Sequence, residues 1–396
     1  MSFEGVDFYR LDGLLSEEER AVRDTVRAWV DEHLMPVIGD CYIEGRFPKE
    51  LIPGLARLGV LGANLPEEYG CAGLNNVAYG LIMQELERGD SGIRSFASVQ
   101  GALVMYPIHA FGSDEQKKHW LPRLAGGLEV GCFGLTEPDY GSNPAGMITT
   151  ARETKDGWVL NGTKTWITYA PVADVSLVVA YTDPTVKYKG MSIFIVDLHT
   201  PGVSRREISH KMGWHACPTG ELIFEDCRIP KSSLIGQLGE GFRIIMSDLN
   251  NTRLSASAGA VGVSQGLIDE SLKYANQRVQ FGQQIGQFQM VQDMIAVMIV
   301  ETEAARLLTY RCAAQKDRGN TGNTLETSMA KYYSCETASR VADLALKVFS
   351  AYGYSGEYPV ERYFRDAKLY QLLEGTANIH KMIIAGDALG YRKANR

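Results

Sequence analysis

The period of the apolar positions changes twice along the 396 residues. In the first third they recur every three or four residues. Ser16 and Glu19 form a capping-box pair, after which Val22, Val26, Trp29 and Val30 line one face until Pro36, where the pattern predicts the helix to end. Leu51, Leu55 and Leu58 repeat the spacing ahead of Gly59 and Gly62. Asn76 to Arg88 carries Val77, Leu81 and Leu86, and Ser113 with Gln116 caps a helix holding Trp120 and Leu124 before Gly126-Gly127. From about Val130 the period falls to two. Trp158 to Ile167 predicts a hairpin turning at Asn161-Gly162. Residues 174–181, 190–196 and 220–224 predict further strands. Short strands with no helices between them predict an antiparallel barrel or sandwich rather than a βαβ sheet. After Gly239-Glu240-Gly241 four long helical patterns follow, over 242–277, 288–317, 325–352 and 378–391, as in a bundle.

Composition narrows the class without naming it. The chain is 45% apolar and 22% charged, with a formal charge of −7. A mildly acidic surface argues against a phosphate-backbone binder, so no nucleic-acid partner is expected. No run approaches about 18 uninterrupted apolar residues, so no membrane partner is expected either. The start, MSFEGVDFYRLDG, lacks the basic and apolar regions of a secretory signal. The seven cysteines (41, 71, 132, 217, 227, 312, 335) form no Cys-x-x-Cys pair and read as reduced packing thiols in a cytoplasmic setting.

Several motifs fail on context. Metal-binding helix and loop patterns, a P-loop and a Gly-x-Gly-x-x-Gly fingerprint are missing. The seven histidines are scattered, with His210 and His215 the nearest pair, so no metal site is expected. Gly262-Val263-Ser264-Gln265-Gly266 fits a nucleophile elbow in spelling only, because the small residues before it belong to a helix face. Three clusters remain. Cys132 to Pro144 packs hydroxyls, glycines and prolines into one loop that can offer N–H groups and hydroxyls to a polar ligand, or simply join two domains. In Thr165-Trp166-Ile167-Thr168 a tryptophan between hydroxyls can stack on a planar ring, or fill a core. Glu374-Gly375-Thr376 puts a carboxylate at the end of an apolar run beside a glycine turn, a place for a general base or for an ordinary exposed glutamate.

In order and spacing these clusters resemble the acyl-CoA dehydrogenase family along nearly the whole chain. The carriers are Pro66-Glu67-Glu68-Tyr69-Gly70, Gly134 to Ser142, Leu160 to Thr168, Arg278-Val279-Gln280-Phe281-Gly282, and Tyr363-Phe364-Arg365-Asp366-Ala367 through Glu374-Gly375-Thr376. The resemblance implies an α+β fold with an N-terminal helical domain (1–128), a middle antiparallel β-barrel (129–238) and a C-terminal four-helix bundle (239–396). It also implies FAD, a homotetramer, an acyl-CoA substrate oxidised at Cα–Cβ, and an electron-transfer flavoprotein as acceptor. By the resemblance Glu374 takes the α-proton and the flavin N5 the β-hydride. The thioester oxygen is held by the backbone N–H of Glu374 and a ribityl hydroxyl. Phe133, Leu135, Thr136, Gly141 and Ser142 line the flavin, with Trp166, Ile167 and Thr168 against its ring and Thr376 and Asn378 beyond the base. Arg278, Phe281 and Gln289 reach the FAD of a neighbouring subunit. Asn250, Arg253, Gly375 and Ser142 match the CoA side.

Substrate choice rests on Glu87-Arg88-Gly89-Asp90-Ser91-Gly92-Ile93-Arg94-Ser95. It resembles the segment of glutaryl-CoA dehydrogenases whose arginine holds the distal carboxylate, a job suited to a guanidinium. Arg94 and Ser95 are therefore expected to bind substrate, with glutaryl-CoA or a related dicarboxylyl-CoA as the expected compound. Two positions depart from that pattern: Leu373 replaces the usual tyrosine before the base, and His215 stands where arginine is common. Leucine removes a hydroxyl and leaves an apolar wall. The alternatives are an aryl-substituted succinyl-CoA of the benzylsuccinyl type, an alicyclic carboxyl-CoA, or a non-catalytic relative that binds flavin or acyl carrier.

Overall fold

The computed structural model describes residues 7–320, 322–391 and 393–394. Both capping boxes form. The Ser16 N–H donates to Glu19 Oε2 at 2.7 Å and Ser16 Oγ accepts from the Glu19 N–H at 3.2 Å, opening α1 (Glu17–Trp29). The helical path does not end at Pro36. A π-type turn over Val30–Leu34 resets the ladder, and α2 (Met35–Glu44) takes Pro36 into its first turn, where a missing N–H is tolerated. Next come α3 (Ile52–Arg57) and α4 (Asn76–Gly89), the latter capped by Asn75. After α4 lie α5 (Ser91–Ser98), a second π-type turn over Val99–Met105, α6 (Tyr106–Phe111) and α7 (Asp114–Ala125), whose box is Ser113 with Gln116. The segment from Ser91 is short, and its polar positions Ser91, Arg94, Ser95 and Ser98 keep helical spacing but are buried, so the apolar pattern alone does not mark it as a helix.

The middle region is one eight-stranded sheet. Its strands are β1 (Gly131–Gly134), β2 (Thr150–Glu153), β3 (Gly157–Thr168), β4 (Val175–Tyr181), β5 (Met191–Asp197), β6 (Val203–Glu207), β7 (Thr219–Pro230) and β8 (Leu234–Ile235). The order is β6-β7-β3-β2-β4-β5-β8, with β1 joined to β4; only β1–β4 and β2–β4 pair in parallel. The hairpin expected at Asn161-Gly162 is absent: β3 runs through it as one strand along β7, with register shifts between Leu160 and Gly162 and between Lys164 and Ile167. Gly162 has φ +145, and a Cβ there would meet Thr149 Oγ1 at 2.3 Å, so the glycine makes a bulge and not a turn.

The last region holds α8 (Gly241–Gln277), a β9 (Val279–Gln280) and β10 (Gln283–Gln284) hairpin, α9 (Gln289–Asp317), α10 (Thr324–Phe349), α11 (Val360–Tyr370) and α12 (Ala377–Ala388). The pattern missed α11, which turns Arg362 and Asp366 inward. Small residues let α8 approach α4 closely: a Cβ on Gly262 would lie 2.2 Å from the Gln84 carbonyl. Ser264 donates to the Ala260 carbonyl inside α8, which disposes of the nucleophile-elbow spelling. No described helix is long and apolar enough to cross a membrane, and all seven cysteines are free and buried.

Candidate active site

Glu374 sits on the turn between α11 and α12. It has φ +56 and Gly375 has φ +89, so two successive residues hold a left-handed turn that a non-glycine residue adopts only under constraint. The constraint comes from three sides. Lys331 of α10, fully buried, donates to the carbonyls of Tyr370 at 2.9 Å and Gly375 at 2.8 Å. Arg253 Nε of α8 donates to the Glu374 carbonyl at 3.3 Å, and His380 Nε2 of α12 lies at the same distance from that oxygen. Burial, then the charges of Arg253 and Lys331, push His380 down to about 3, so its ring is neutral and can donate to that carbonyl. The side chain is fixed separately, by Thr252 Oγ1 donating to Oε2 at 2.6 Å. The half-buried carboxylate is thus aimed and partly desolvated, as a general base requires.

A second cluster lies two turns along α8. A Cβ on Gly259 would fall 2.4 Å from Tyr370 Oη, 3.0 Å from Arg94 Nε and 3.2 Å from Glu87 Oε2. Arg94 is only 3% exposed; its Nε donates to Glu87 at 2.7 Å and one terminal nitrogen donates to Tyr370 Oη at 2.6 Å. The guanidinium carbon lies 5.3 Å from the ring centres of both Trp214 and Tyr370. Burial opposes its charge, but Tyr370 and Glu87 outweigh burial and hold Arg94 cationic. Tyr370 thus brings a hydroxyl to the arginine from one helical turn before Leu373. His215 stacks on Tyr42 at 4.7 Å, and Arg365 approaches its ring at 3.3 Å. Ser95 is buried beside Arg94.

Two of the sequence clusters meet in the sheet region. The Thr165 N–H donates to the Thr136 carbonyl at 2.9 Å. The buried Glu137–Lys164 pair, 2.8 Å apart, ties the 135–149 loop to β3, with Glu137 also accepting from the N–H groups of Ile148 and Thr149. Phe133 and Ile167 are buried, Leu135, Thr136 and Thr168 are half-buried, and Gly141 and Ser142 are exposed. Trp166 is 59% exposed, with φ +58 at the second β3 irregularity, so the core alternative for it does not hold. An exposed indole flanked by hydroxyls and a glycine loop fits a planar ring with a polar edge. Thr376 Oγ1 caps α12 by accepting from Ile379, and Asn378 is exposed in its first turn. Asn250 Nδ2 donates to Thr324. Arg278, Phe281 (95% exposed) and Gln289 lie on the β9–β10 hairpin and the start of α9; among the described residues no hydrogen bond joins them to the Glu374 cluster. Thr252, Lys331, Tyr370 and Trp214 were not singled out in the sequence. Among the described residues no group of three His, Cys, Asp or Glu is placed to hold a metal ion.

A helical region, a sheet and a helical bundle around such a ring-and-base arrangement define a flavin-type oxidoreductase architecture. The models of the acyl-CoA dehydrogenase N-terminal, middle and C-terminal domains match residues 16–128, 132–227 and 239–389, and the chain belongs to the acyl-CoA dehydrogenase family. Its members are FAD-dependent oxidoreductases acting on the CH–CH bond of acyl-CoA. It is 44% identical to a glutaryl-CoA dehydrogenase of Desulfococcus multivorans, over 98% of this chain and 100% of that one. It is 39% identical to the mitochondrial short-chain specific acyl-CoA dehydrogenase of Rattus norvegicus, over 95% and 91%. A solved glutaryl-coenzyme A dehydrogenase in complex with glutaryl-CoA superposes with a TM-score of 0.94 at 43% identity, covering 100% of this chain and 98% of that one.

Proposed function

We propose that this enzyme dehydrogenates a dicarboxylyl-CoA such as glutaryl-CoA, with Glu374 removing the α-proton and Arg94 holding the distal carboxylate. The observation that carries the reading is the spacing of the two clusters on one face of α8. Thr252, at the base, and Gly259, at the arginine, are seven residues apart, about 10 Å at 1.5 Å per residue. A five-carbon diacid reaching Glu374 at Cα and hydrogen-bonded at its far carboxylate spans about that distance. Arg94 has five N–H donors, of which Glu87 and Tyr370 take two. The similarity to glutaryl-CoA dehydrogenases agrees with this choice.

FAD, when bound, accepts the hydride equivalent leaving Cβ. Phe133, Leu135, Thr136, Gly141, Ser142, Trp166, Ile167, Thr168, Thr376 and Asn378 would hold it, with Arg278, Phe281 and Gln289 serving a neighbouring subunit of a homotetramer. The backbone N–H of Glu374 would polarise the thioester carbonyl, and Asn250, Arg253, Gly375 and Ser142 would contact CoA. We place the protein in the cytoplasm, with an electron-transfer flavoprotein as acceptor. Leu373, apolar beside the base, favours a second reading in which the acyl group is aryl-substituted or alicyclic.

Replacing Arg94 by Ala tests the first reading. The KM for glutaryl-CoA should rise by roughly thirtyfold, about 2 kcal/mol, while that for butyryl-CoA changes little. Equal effects on both would remove the clamp. Product mass reports whether CO₂ is lost.

A further inference from the structure

Asp248 has no part in the arrangement described so far. It lies on α8 one turn before Thr252, so the two side chains share a helix face. It is fully buried, and neither of its carboxylate oxygens has a hydrogen-bond partner. A carboxylate buried in this way takes up a proton in preference to remaining an unpaired charge. Burial first, and the negative charge of Glu374 second, push Asp248 well above the usual carboxylate range. Around the pocket stand Tyr79 of α4, its buried hydroxyl toward Ser98 and Ser255, Tyr106 of α6, bonded to Ser247, Arg253 of α8 and Lys331 of α10. Among the described residues Glu374 is the charged group that acts on Asp248.

We propose that Asp248 is a second carboxyl group of the active site, kept as a neutral acid so that Glu374 is the one carboxylate on this face of α8 and a negatively charged acyl chain can enter. Arg94 is already balanced by Glu87. Were Asp248 ionised too, an incoming carboxylate would meet a second negative charge where little water screens it. The negative charge of Glu374 adds to burial in making Asp248 hold its own proton more tightly. Asp248 is therefore a tuning residue, acting through Glu374 and through the charge of the pocket. The neutral-acid part stands without the dicarboxylyl reading; the admission of a charged chain rests on it.

The test uses the flavin-loaded enzyme. Infrared difference spectra without substrate should contain a protonated carboxylic acid C=O band that shifts in D₂O and is lost in Asp248→Asn. That band should titrate at lower pH in Glu374→Gln, because removing the neighbouring anion makes Asp248 easier to ionise. The KM for glutaryl-CoA should then rise severalfold as pH passes through the Asp248 titration, relative to butyryl-CoA, and the ratio should be flat in Asp248→Asn. Loss of no acid band in Asp248→Asn, or an unshifted titration in Glu374→Gln, overturns the neutral-acid assignment. The Glu374→Gln measurement keeps this decisive if Asp248→Asn fails to fold. A KM ratio that ignores pH while the band titrates overturns the gating role. An enzyme that shows the band but binds no dicarboxylyl-CoA at any pH instead overturns the substrate reading, leaving the acid assignment supported.

Discussion

At the scale of single residues, the proposed chemistry depends on one carboxylate, Glu374, in a backbone conformation it would not choose alone. The left-handed turn at Glu374 and Gly375 is held by Lys331, Arg253 and His380 through carbonyls, while Thr252 grips the carboxylate. Position and reactivity are thus fixed by different partners. Glu374→Gln keeps the shape of the side chain and all the carbonyl contacts, so the protein should stay yellow and folded. Flavin bleaching by its best acyl-CoA should fall by roughly a hundred- to ten-thousand-fold, the usual share of a general base, in anaerobic stopped-flow. Bleaching at the wild-type rate would sink the assignment. Glu374 draws attention in the sequence because a carboxylate between an apolar run and Gly375 is a local signal, but that signal leaves a base and an ordinary exposed glutamate both open, and the family resemblance supplies the role. Its neighbours were not legible: Thr252 reaches it across 122 residues and Tyr370 reaches Arg94 across 276, separations that no spacing rule encodes. Asp248 had no signal at all, since an aspartate in a helix reads as exposed until the packing buries it.

Between elements, the pattern that was legible is the pattern set by local chemistry. The capping boxes, the long helices of the last region and the change to period two follow from neighbours in sequence. What failed depended on distant partners: Gly162 looks like a turn residue until β7 pairs on both sides of it, and the polar stripe of α5 (Ser91, Arg94, Ser95, Ser98) reads as a solvent face until the packing buries it. The same non-local packing holds the 135–149 loop, where Lys164 and Glu137 are both fully buried. Burial lowers Lys164 to about 8 against the pull of Glu137, while Lys164 and the backbone N–H of Ile148 hold Glu137 below the usual range despite its burial. Lys164→Met leaves a buried carboxylate without its counter-charge and should cost about 3–5 kcal/mol in urea-induced unfolding. Adding Glu137→Gln should recover a good part of that loss, because the remaining groups are neutral. Additive losses in the double variant would mean that the two side chains act independently, and the tie between loop and strand would then need another source.

Across the whole molecule, one carboxylate touches all three regions. Asp366 of α11 accepts from the Tyr42 hydroxyl of α2 at 2.7 Å and from the Trp214 N–H in the segment before β7, and its own carbonyl accepts from the Trp214 indole at 3.2 Å. Trp214 in turn lies against Arg94, so this junction also positions the proposed carboxylate clamp. Burial, then the nearby charge of Asp90, raise Asp366 from its ordinary value of 3.8 to about 7. The folded state therefore binds this proton more tightly than the unfolded chain does. The stability it contributes is fully present below about pH 4 and is lost as pH rises to about 7, by at most about 4 kcal/mol. Asp366→Asn keeps an acceptor for Tyr42 and Trp214 but removes the ionisation. Relative to wild type, the variant should therefore be more stable at pH 8 than at pH 5, read as the difference in urea midpoint between the two proteins at each pH. Parallel pH dependences would show that Asp366 is already ionised throughout and that the three regions are joined by a charged acceptor. A flattened dependence, with the Arg94-dependent KM preference preserved, would show that the junction needs the hydrogen bonds of Asp366 and not its charge.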